Sequence, residues 1–225
     1  MMEIKGLKKR YDARCVLDIP SLQIAQGERV ALIGPNGSGK STLIRLLAGT
    51  LLADEGTVSL LGLSRREIAY LPQKPYAFDL SVEQNVLLAL EGLPNQRQRM
   101  REALESVGLI HLRAARGKRL SGGEVQRMAL ARIIARPHRL LLLDEPTASA
   151  DIQAVDRLER VLQDYCEATN CTLLFSSHAP TQALRLSTRT IVLTDGRIVE
   201  DGETMQVLRE PKGEATQLFL RHWRI

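Results

Sequence analysis

The chain is expected to fold as an α/β protein, with an antiparallel β region at its N-terminus, a mainly parallel core sheet and a helical subdomain. Three observations lead there. The apolar run Arg29 to Ile33 enters a glycine-rich turn that opens a helix with Leu43, Leu46 and Leu47 on one face. The continuous apolar run Leu140 to Leu143 and the stretch Cys171 to Ser176 read as further buried strands. Between them, from about residue 75 to 136, no stretch reads as a strand.

Residues 2 to 33 form short β runs broken by turns: Ile4 and Leu7, then Val16, Leu17 and Ile19, then Leu22 and Ile24, then Val30 to Ile33. Tyr11 falls in a polar turn between the first two. A ring there suits either stacking on a nucleotide base or a partly buried surface position. Next comes Gly34-Pro35-Asn36-Gly37-Ser38-Gly39-Lys40-Ser41-Thr42, the pattern G-x-x-x-x-G-K-[ST]. At a strand-to-helix turn its glycines let backbone N–H groups curl around phosphate oxygens, and the helix N-terminus adds partial positive charge. Lys40 is placed to reach the β- and γ-phosphates, Ser41 to offer its hydroxyl to Mg²⁺, and Thr42 to bond a phosphate nearer the sugar.

Gly56 to Leu60 and Ile68 to Leu71 read as strands, the second followed by Pro72-Gln73. The pattern turns helical from Ser81, through Val82, Val86, Leu87 and Leu90, and a polar helix follows from about Gln96 to Val107. Leu120-Ser121-Gly122-Gly123-Glu124 then precedes Met128, Leu130, Ala131, Ile133 and Ile134. Ser121 and Glu124 have the S-x-x-E spacing of a capping box, so Ser121 is expected to cap a helix running to about Arg136. Two glycines in its first turn bare the N–H groups for an anion, making a second candidate phosphate site.

The strand Leu140 to Leu143 ends in Asp144-Glu145. Ligands of an open parallel sheet gather at the carboxyl ends of its strands, and consecutive side chains point in different directions. One carboxylate can therefore hold Mg²⁺ while the other addresses a water. Asp151 is expected to cap the next helix, which carries Val155, Leu158, Val161, Leu162 and Tyr165 inward. His178 follows the strand Cys171 to Ser176, a candidate for contacting a γ-phosphate or a water. Thr190 to Val199 reads as a hairpin turning at Asp195-Gly196, and the amphipathic tail through Trp223 receives no chemistry.

At 225 residues the chain has room for one large domain or two small ones. We read a single domain over 1–225, with 1–74 and 137–225 forming the core and β region and 75–136 the helical part. The formal charge of +5 suits an anionic ligand or a membrane surface, yet no dense lysine and arginine stripe marks a nucleic-acid groove. Cys15, Cys166 and Cys171 are odd in number and lack C-x-x-C spacing, which argues for reduced thiols over disulfides or a zinc site. No stretch of signal-peptide length opens the chain. The most apolar region, Met128 to Leu143, is broken by Arg132, Arg136, Pro137, His138 and Arg139, and a bilayer needs about 20 apolar residues. Service at a membrane would go through another subunit.

Together these motifs resemble the nucleotide-binding subunit of the ATP-binding cassette (ABC) transporters over essentially the whole chain. The resemblance implies a P-loop NTPase of the ABC type, with Gly34 to Thr42 as Walker A. It implies two copies, or this chain and a homologous ATPase, sandwiching two ATP between the phosphate loop of one and Ser121, Gly122, Gly123 and Glu124 of the other. Tyr11 then matches the adenine-stacking position, with Val16 beside the ring. Gln73 matches the glutamine that touches Mg²⁺ and the attacking water, Asp144 the magnesium carboxylate and Glu145 the catalytic glutamate. Ala148, Ser149, Ala150 and Asp151 match the loop that crosses the dimer interface, and His178 the switch histidine.

This sequence departs from the family at Glu124, where glutamine is frequent, at Ala150, where leucine is usual, and at Ala179, where aspartate is common; none of these removes a group needed for hydrolysis. The implied role is an ATPase peripheral to the cytoplasmic side of the cell membrane, driving a separate permease, with a substrate-binding protein reached through that permease. The compact length is similar to a bacterial importer subunit. Leu80 to Val86 and Glu145 to Asp151 lean toward importers of small oxyanions such as tungstate or molybdate. Two alternatives stay open: a soluble cassette ATPase in cofactor assembly or nucleic-acid maintenance, and a regulatory protein that clamps ATP without turnover.

Overall fold

The computed structural model describes residues 2–60, 62–148, 151–221 and 223. β1 (Met2–Tyr11) and β2 (Arg14–Ile24) pair antiparallel; β3 (Arg29–Ile33) enters α1 (Lys40–Leu47); β4 (Glu55–Leu60) returns to β1, and β5 (Ile68–Leu71) follows. Next are α2 (Val82–Leu87), α3 (Gln96–Ser106) and α4 (Gly122–Ile134). The chain then runs through β6 (Leu140–Asp144), α5 (Ile152–Thr169), β7 (Thr172–Ser177), α6 (Pro180–Leu186), β8 (Arg189–Thr194), β9 (Arg197–Glu203), α7 (Thr204–Arg209) and α8 (Glu214–Leu220). One sheet is three-stranded and antiparallel, order β2-β1-β4; the other is six-stranded, order β5-β6-β7-β3-β8-β9, parallel except for β9.

The uninterrupted apolar runs follow from covering the large sheet on both faces. Along β6, Leu140 and Leu142 join the apolar cluster shared with α1, β1 and β2, whereas Leu141 and Leu143 join the one shared with α3, α4 and α5. β3 divides likewise, Val30 and Leu32 to the first and Ala31 and Ile33 to the second. Successive side chains of a strand point to opposite faces, so a two-faced burial demands apolar residues at every position.

Two local expectations change. The runs Val16 to Ile19 and Leu22 to Ile24 are one strand, β2, passing through Pro20. Proline has no N–H for a ladder, but β2 is the edge strand of its sheet, where that loss is tolerated. The helix from Ser81 stays α-helical only to Leu87 and tightens into a 3₁₀ turn over Leu88–Leu90. At the β8–β9 hairpin both turn residues, Asp195 (φ 47°) and Gly196 (φ 77°), take the positive φ of a type I′ turn.

Candidate functional site

Strand order decides which residues meet. β5, β6, β7 and β3 lie side by side and parallel, so their carboxyl ends share one edge. Gln73 follows β5, Asp144 ends β6 with Glu145 next, His178 follows β7, and Gly34 opens the loop after β3. Five residues from four separate segments of the chain are thereby brought to one place.

The loop itself needs two of its glycines. Gly34 has φ 146°, and a Cβ there would sit 2.0 Å from the Leu193 carbonyl oxygen. Gly39 has φ 102° and caps α1 without any side-chain bond, leaving the first N–H groups of the helix open to a ligand. Lys40 is buried, its Nζ donating to Gly34 O at 2.8 Å and Pro35 O at 2.9 Å. Burial holds its ammonium below the usual lysine value, against the opposing pull of Glu145 and Asp144. The uncapped helix end and the enclosed cation fit a polyphosphate. Ser41 Oγ donates to Asp144 Oδ1 at 2.9 Å, so a hydroxyl and a carboxylate, both hard oxygen donors suited to Mg²⁺, already share one point.

Beside them stands Glu145, whose backbone has φ 50°, a left-handed conformation that costs a non-glycine residue about 1 kcal/mol or more. Its backbone is held from two sides: Glu145 N–H donates to Ser176 Oγ at 3.0 Å, and Gln126 Nε2 donates to Glu145 O at 3.3 Å. Ser176 Oγ in turn donates to Asp144 Oδ1 at 2.6 Å. Gln73 Nε2 donates to Glu145 Oε2 at 3.1 Å, and His178 Nδ1 lies 3.6 Å from the same oxygen, just beyond hydrogen-bond length. This arrangement can hold a cation at Asp144 and Ser41 while presenting a separate carboxylate to a water.

A cavity of about 590 Å³ runs from Tyr11, Val16 and Asp195 over Asn36 to Thr42 and ends at Gln73 and Glu145, a size suited to a small ligand. Tyr11 is the last residue of β1, 44% exposed, with Lys9 Nζ 5.6 Å from its ring centroid. Ser121, Gly122, Gly123 and Glu124 line no part of this cavity among the described residues. They form the expected capping box on α4: Glu124 N–H bonds Ser121 Oγ, while Ser121 N–H and Oγ donate to Glu124 Oε2 at 2.7 and 2.8 Å and hold that carboxyl below its usual range. Asp151 caps α5, its Oδ1 accepting from Ala154 N–H at 2.8 Å. Ser149 and Ala150 lie outside the described residues.

Sequence reasoning missed Ser176, Gln126, Phe219 and Trp223. Ser176 carried a faint signal, a polar side chain near the carboxyl end of a buried strand. The tail was left without chemistry, yet Phe219 and Trp223 line a second cavity against Glu145 and His178.

Comparison with known proteins meets this geometry directly. The profile of the family described as "ABC transporter" matches residues 17–148. The chain belongs to the ABC transporter family. Among its relatives, the tungstate uptake system ATP-binding protein of Peptoclostridium acidaminophilum is 37% identical over 205 residues, covering 88% of this chain and 96% of that protein. The thiamine import ATP-binding protein of Shigella flexneri is 37% identical over 211 residues, 88% of this chain and 90% of that one. A dimeric ATP-binding cassette solved in a post-hydrolysis state with ADP and Pi superposes with a TM-score of 0.83 at 27% identity, over 91% of this chain and 99% of its own. The ABC chain described here is accordingly an ATPase with the P-loop fold of that family, and its cofactors are ATP and Mg²⁺.

Proposed function

We propose that this ABC ATPase is the energy-coupling subunit of an importer for a small solute, acting as one of a pair of ATPases beneath a membrane permease. The observation that carries the reading is the run of contacts Ser41–Asp144–Ser176–Glu145–Gln73, which keeps a metal-suited carboxylate and a water-facing carboxylate adjacent but distinct. In this reading Gly34 to Thr42 cradle the phosphates, Lys40 exchanges its loop carbonyls for β- and γ-phosphate oxygens, and Tyr11 and Val16 receive the base. Ser41, Asp144 and Gln73 would hold Mg²⁺, which would supply positive charge to the phosphates. Glu145 would orient and deprotonate the attacking water, and His178 would face the γ-phosphate.

Pairing is supported by the signature lying outside the chain's own cavity, where Ser121 to Glu124 are free to meet a second chain's nucleotide. The cassette solved as a dimer also favours it. Docking on the permease is supported by Tyr76 (63% exposed), Phe78 (42%) and Leu88 (50%), which lie close to Gln73 in sequence on the helical part. No helix among the described residues is long and apolar enough to cross a membrane, in keeping with a peripheral subunit on the cytoplasmic face. The helical part is read as 75–136, within one domain. For the cargo we propose a small oxyanion of the tungstate or molybdate type, supported by the tungstate relative; the equal identity to the thiamine relative directs the test to the permease and its binding protein.

The test is to tag the Glu145→Gln protein in its own cell, solubilise membranes with ATP present and identify what co-purifies. A stoichiometric multispanning subunit is expected. Recovery of a soluble partner alone, or of none, would overturn the coupling role.

A further inference from the structure

Beyond His178 lies a polar network that the chemistry above leaves unused. Glu159 of α5 is a charged side chain only 3% exposed. A carboxylate so buried needs partners, and α6 supplies them: Arg185 donates through Nε to Glu159 Oε2 and through Nη2 to Oε1 at 3.0 Å. Gln182, on the same helix and also buried, donates Nε2 to Glu159 Oε1 at 3.2 Å. The same Nε2 donates to Thr147 Oγ1 at 2.8 Å. An ionised carboxylate only accepts, so Glu159 dictates which end of the Gln182 amide faces Thr147.

The two ends of this amide contact belong to two turns of the site. Thr147 stands two residues past Glu145, in a turn closed by Ala148 N–H donating to Glu145 O at 3.2 Å. His178 lies in a turn closed by Ala179 N–H donating to Ser177 Oγ at 3.0 Å, and that turn enters α6 as Gln182 N–H donates to Ala179 O at 3.0 Å. A cavity of about 180 Å³ separates the turns, walled by Glu145, Thr147, Glu159, His178 and Gln182 among others. Among the described residues, the Gln182–Thr147 contact is the one side-chain hydrogen bond between residues 145–148 and residues 177–186. Glu145 Oε2 and His178 Nδ1 themselves stay 3.6 Å apart.

We infer that Gln182 is a positioning residue, a strut that fixes the turn carrying Glu145 against the turn carrying His178. It touches neither reacting group and acts through Thr147 on one side and the backbone of α6 on the other; Glu159, held by Arg185, keeps its amide aimed. The inference rests on the roles proposed above for Glu145 and His178. With the strut cut, Glu145 keeps its bonds to Ser176 and Gln126, but the two turns lose the side-chain bond between them. A base and a histidine slightly out of register slow the chemical step and leave ground-state binding of ATP intact.

The experiment measures ATP affinity and the single-turnover rate constant of hydrolysis in the whole chain, since a rate constant does not depend on how much of a variant is folded. Thr147→Val removes the hydroxyl at nearly constant shape from a half-buried residue, and Gln182→Leu removes the amide. Each should lower the rate constant roughly five- to tenfold and leave ATP affinity unchanged. The double variant should be no slower than the slower single, because both cut the same bond. Thr147→Ser, which keeps the hydroxyl, should hydrolyse like the parent. A scaffold role alone would lower the reaction amplitude or the unfolding temperature and leave the rate constant where it was. A parental rate constant in Thr147→Val, or losses that multiply in the double variant, would overturn the strut; with Glu145→Gln slow, the proposed function would still stand. Glu145→Gln hydrolysing at the parental rate would overturn the role of the base and the strut with it.

Discussion

The two ends of β6 and β7 both bury polar side chains, and they do so to opposite effect. At the amino ends, Tyr165 OH donates to Arg136 O at 2.8 Å and accepts His138 N–H at 2.8 Å, with His138 Nδ1 at 3.3 Å. Cys166 and Cys171 lie beside them, Sγ to Sγ 3.5 Å. Burial keeps His138 neutral, its value lowered to about 4, and pushes the Tyr165 phenol up; the Cys171 thiol bonded to Cys166 pushes the Cys166 thiol up, with burial adding to it. Among these groups Arg136 Nε alone has no partner. At the carboxyl ends Glu145 and Lys40 line a cavity, Asp144 lies buried beside Ser41, and the first N–H groups of α1 are left uncapped. Buried polar groups bonded mainly to one another belong to the scaffold. Those that leave bonds to be made belong to the chemistry.

The sharpest test of that distinction is Glu145→Gln. It should retain ATP and lower turnover at least a hundredfold, in line with the about 10²–10⁴-fold contribution of a positioned general base, with little change in unfolding temperature. Single-turnover hydrolysis at a normal rate would remove Glu145 from the role.

At the other end the largest effect is on stability against pH. His138 titrates at 6.5 when unfolded and at about 4 when folded, so its neutral form contributes stability that is complete above pH 6.5 and lost as pH falls toward 4. The shift corresponds to about 3 kcal/mol at most. His138→Asn should flatten that stretch of the acid unfolding curve while leaving turnover at neutral pH unchanged. A variant as acid-sensitive as the parent would show that His138 is not held neutral by its surroundings.

Tyr165→Phe should follow with about 1–3 kcal/mol of lost stability, because it leaves both the Arg136 carbonyl and the His138 N–H unpaired in the interior. Turnover per folded molecule should not move. A fall in turnover without a fall in stability would mean that the amino end of the sheet is coupled to the site after all.

The difference between the two ends was only half legible in the sequence. Motifs whose parts are contiguous, such as Gly34 to Thr42, Ser121 to Glu124 and Asp144-Glu145, announce themselves because their chemistry needs fixed local spacing. The apolar stretches of β3, β6 and β7 also announced buried strands. Contacts made across the fold left little trace: Ser176 reaches Asp144 over 32 residues, Gln126 reaches Glu145 over 19, and Tyr165 reaches Arg136 over 29. A serine, a glutamine and a tyrosine have many ordinary uses, and only strand order and helix placement select these. The continuity of β2 through Pro20 was hidden for the same reason, since edge position is a property of the sheet and not of the tripeptide.

Ser176→Ala probes the boundary between the two kinds of burial. Its hydroxyl is fully buried, like the phenol of Tyr165, but its partners are Asp144 Oδ1 and the backbone N–H of Glu145. Removing it leaves both without that bond, at a cost of about 1 kcal/mol or somewhat more in stability. Asp144 keeps Ser41, so the carboxylate stays anchored. Glu145, in a left-handed backbone, loses the bond to its N–H and is held through its carbonyl alone, by Gln126 and the Ala148 N–H. A base displaced from its geometry lowers the chemical step and leaves ground-state binding intact, so kcat should fall about tenfold with ATP affinity unchanged. Loss of stability with kcat intact would place Ser176 with the scaffold, and the line between the two clusters would then run through Asp144 rather than beneath it.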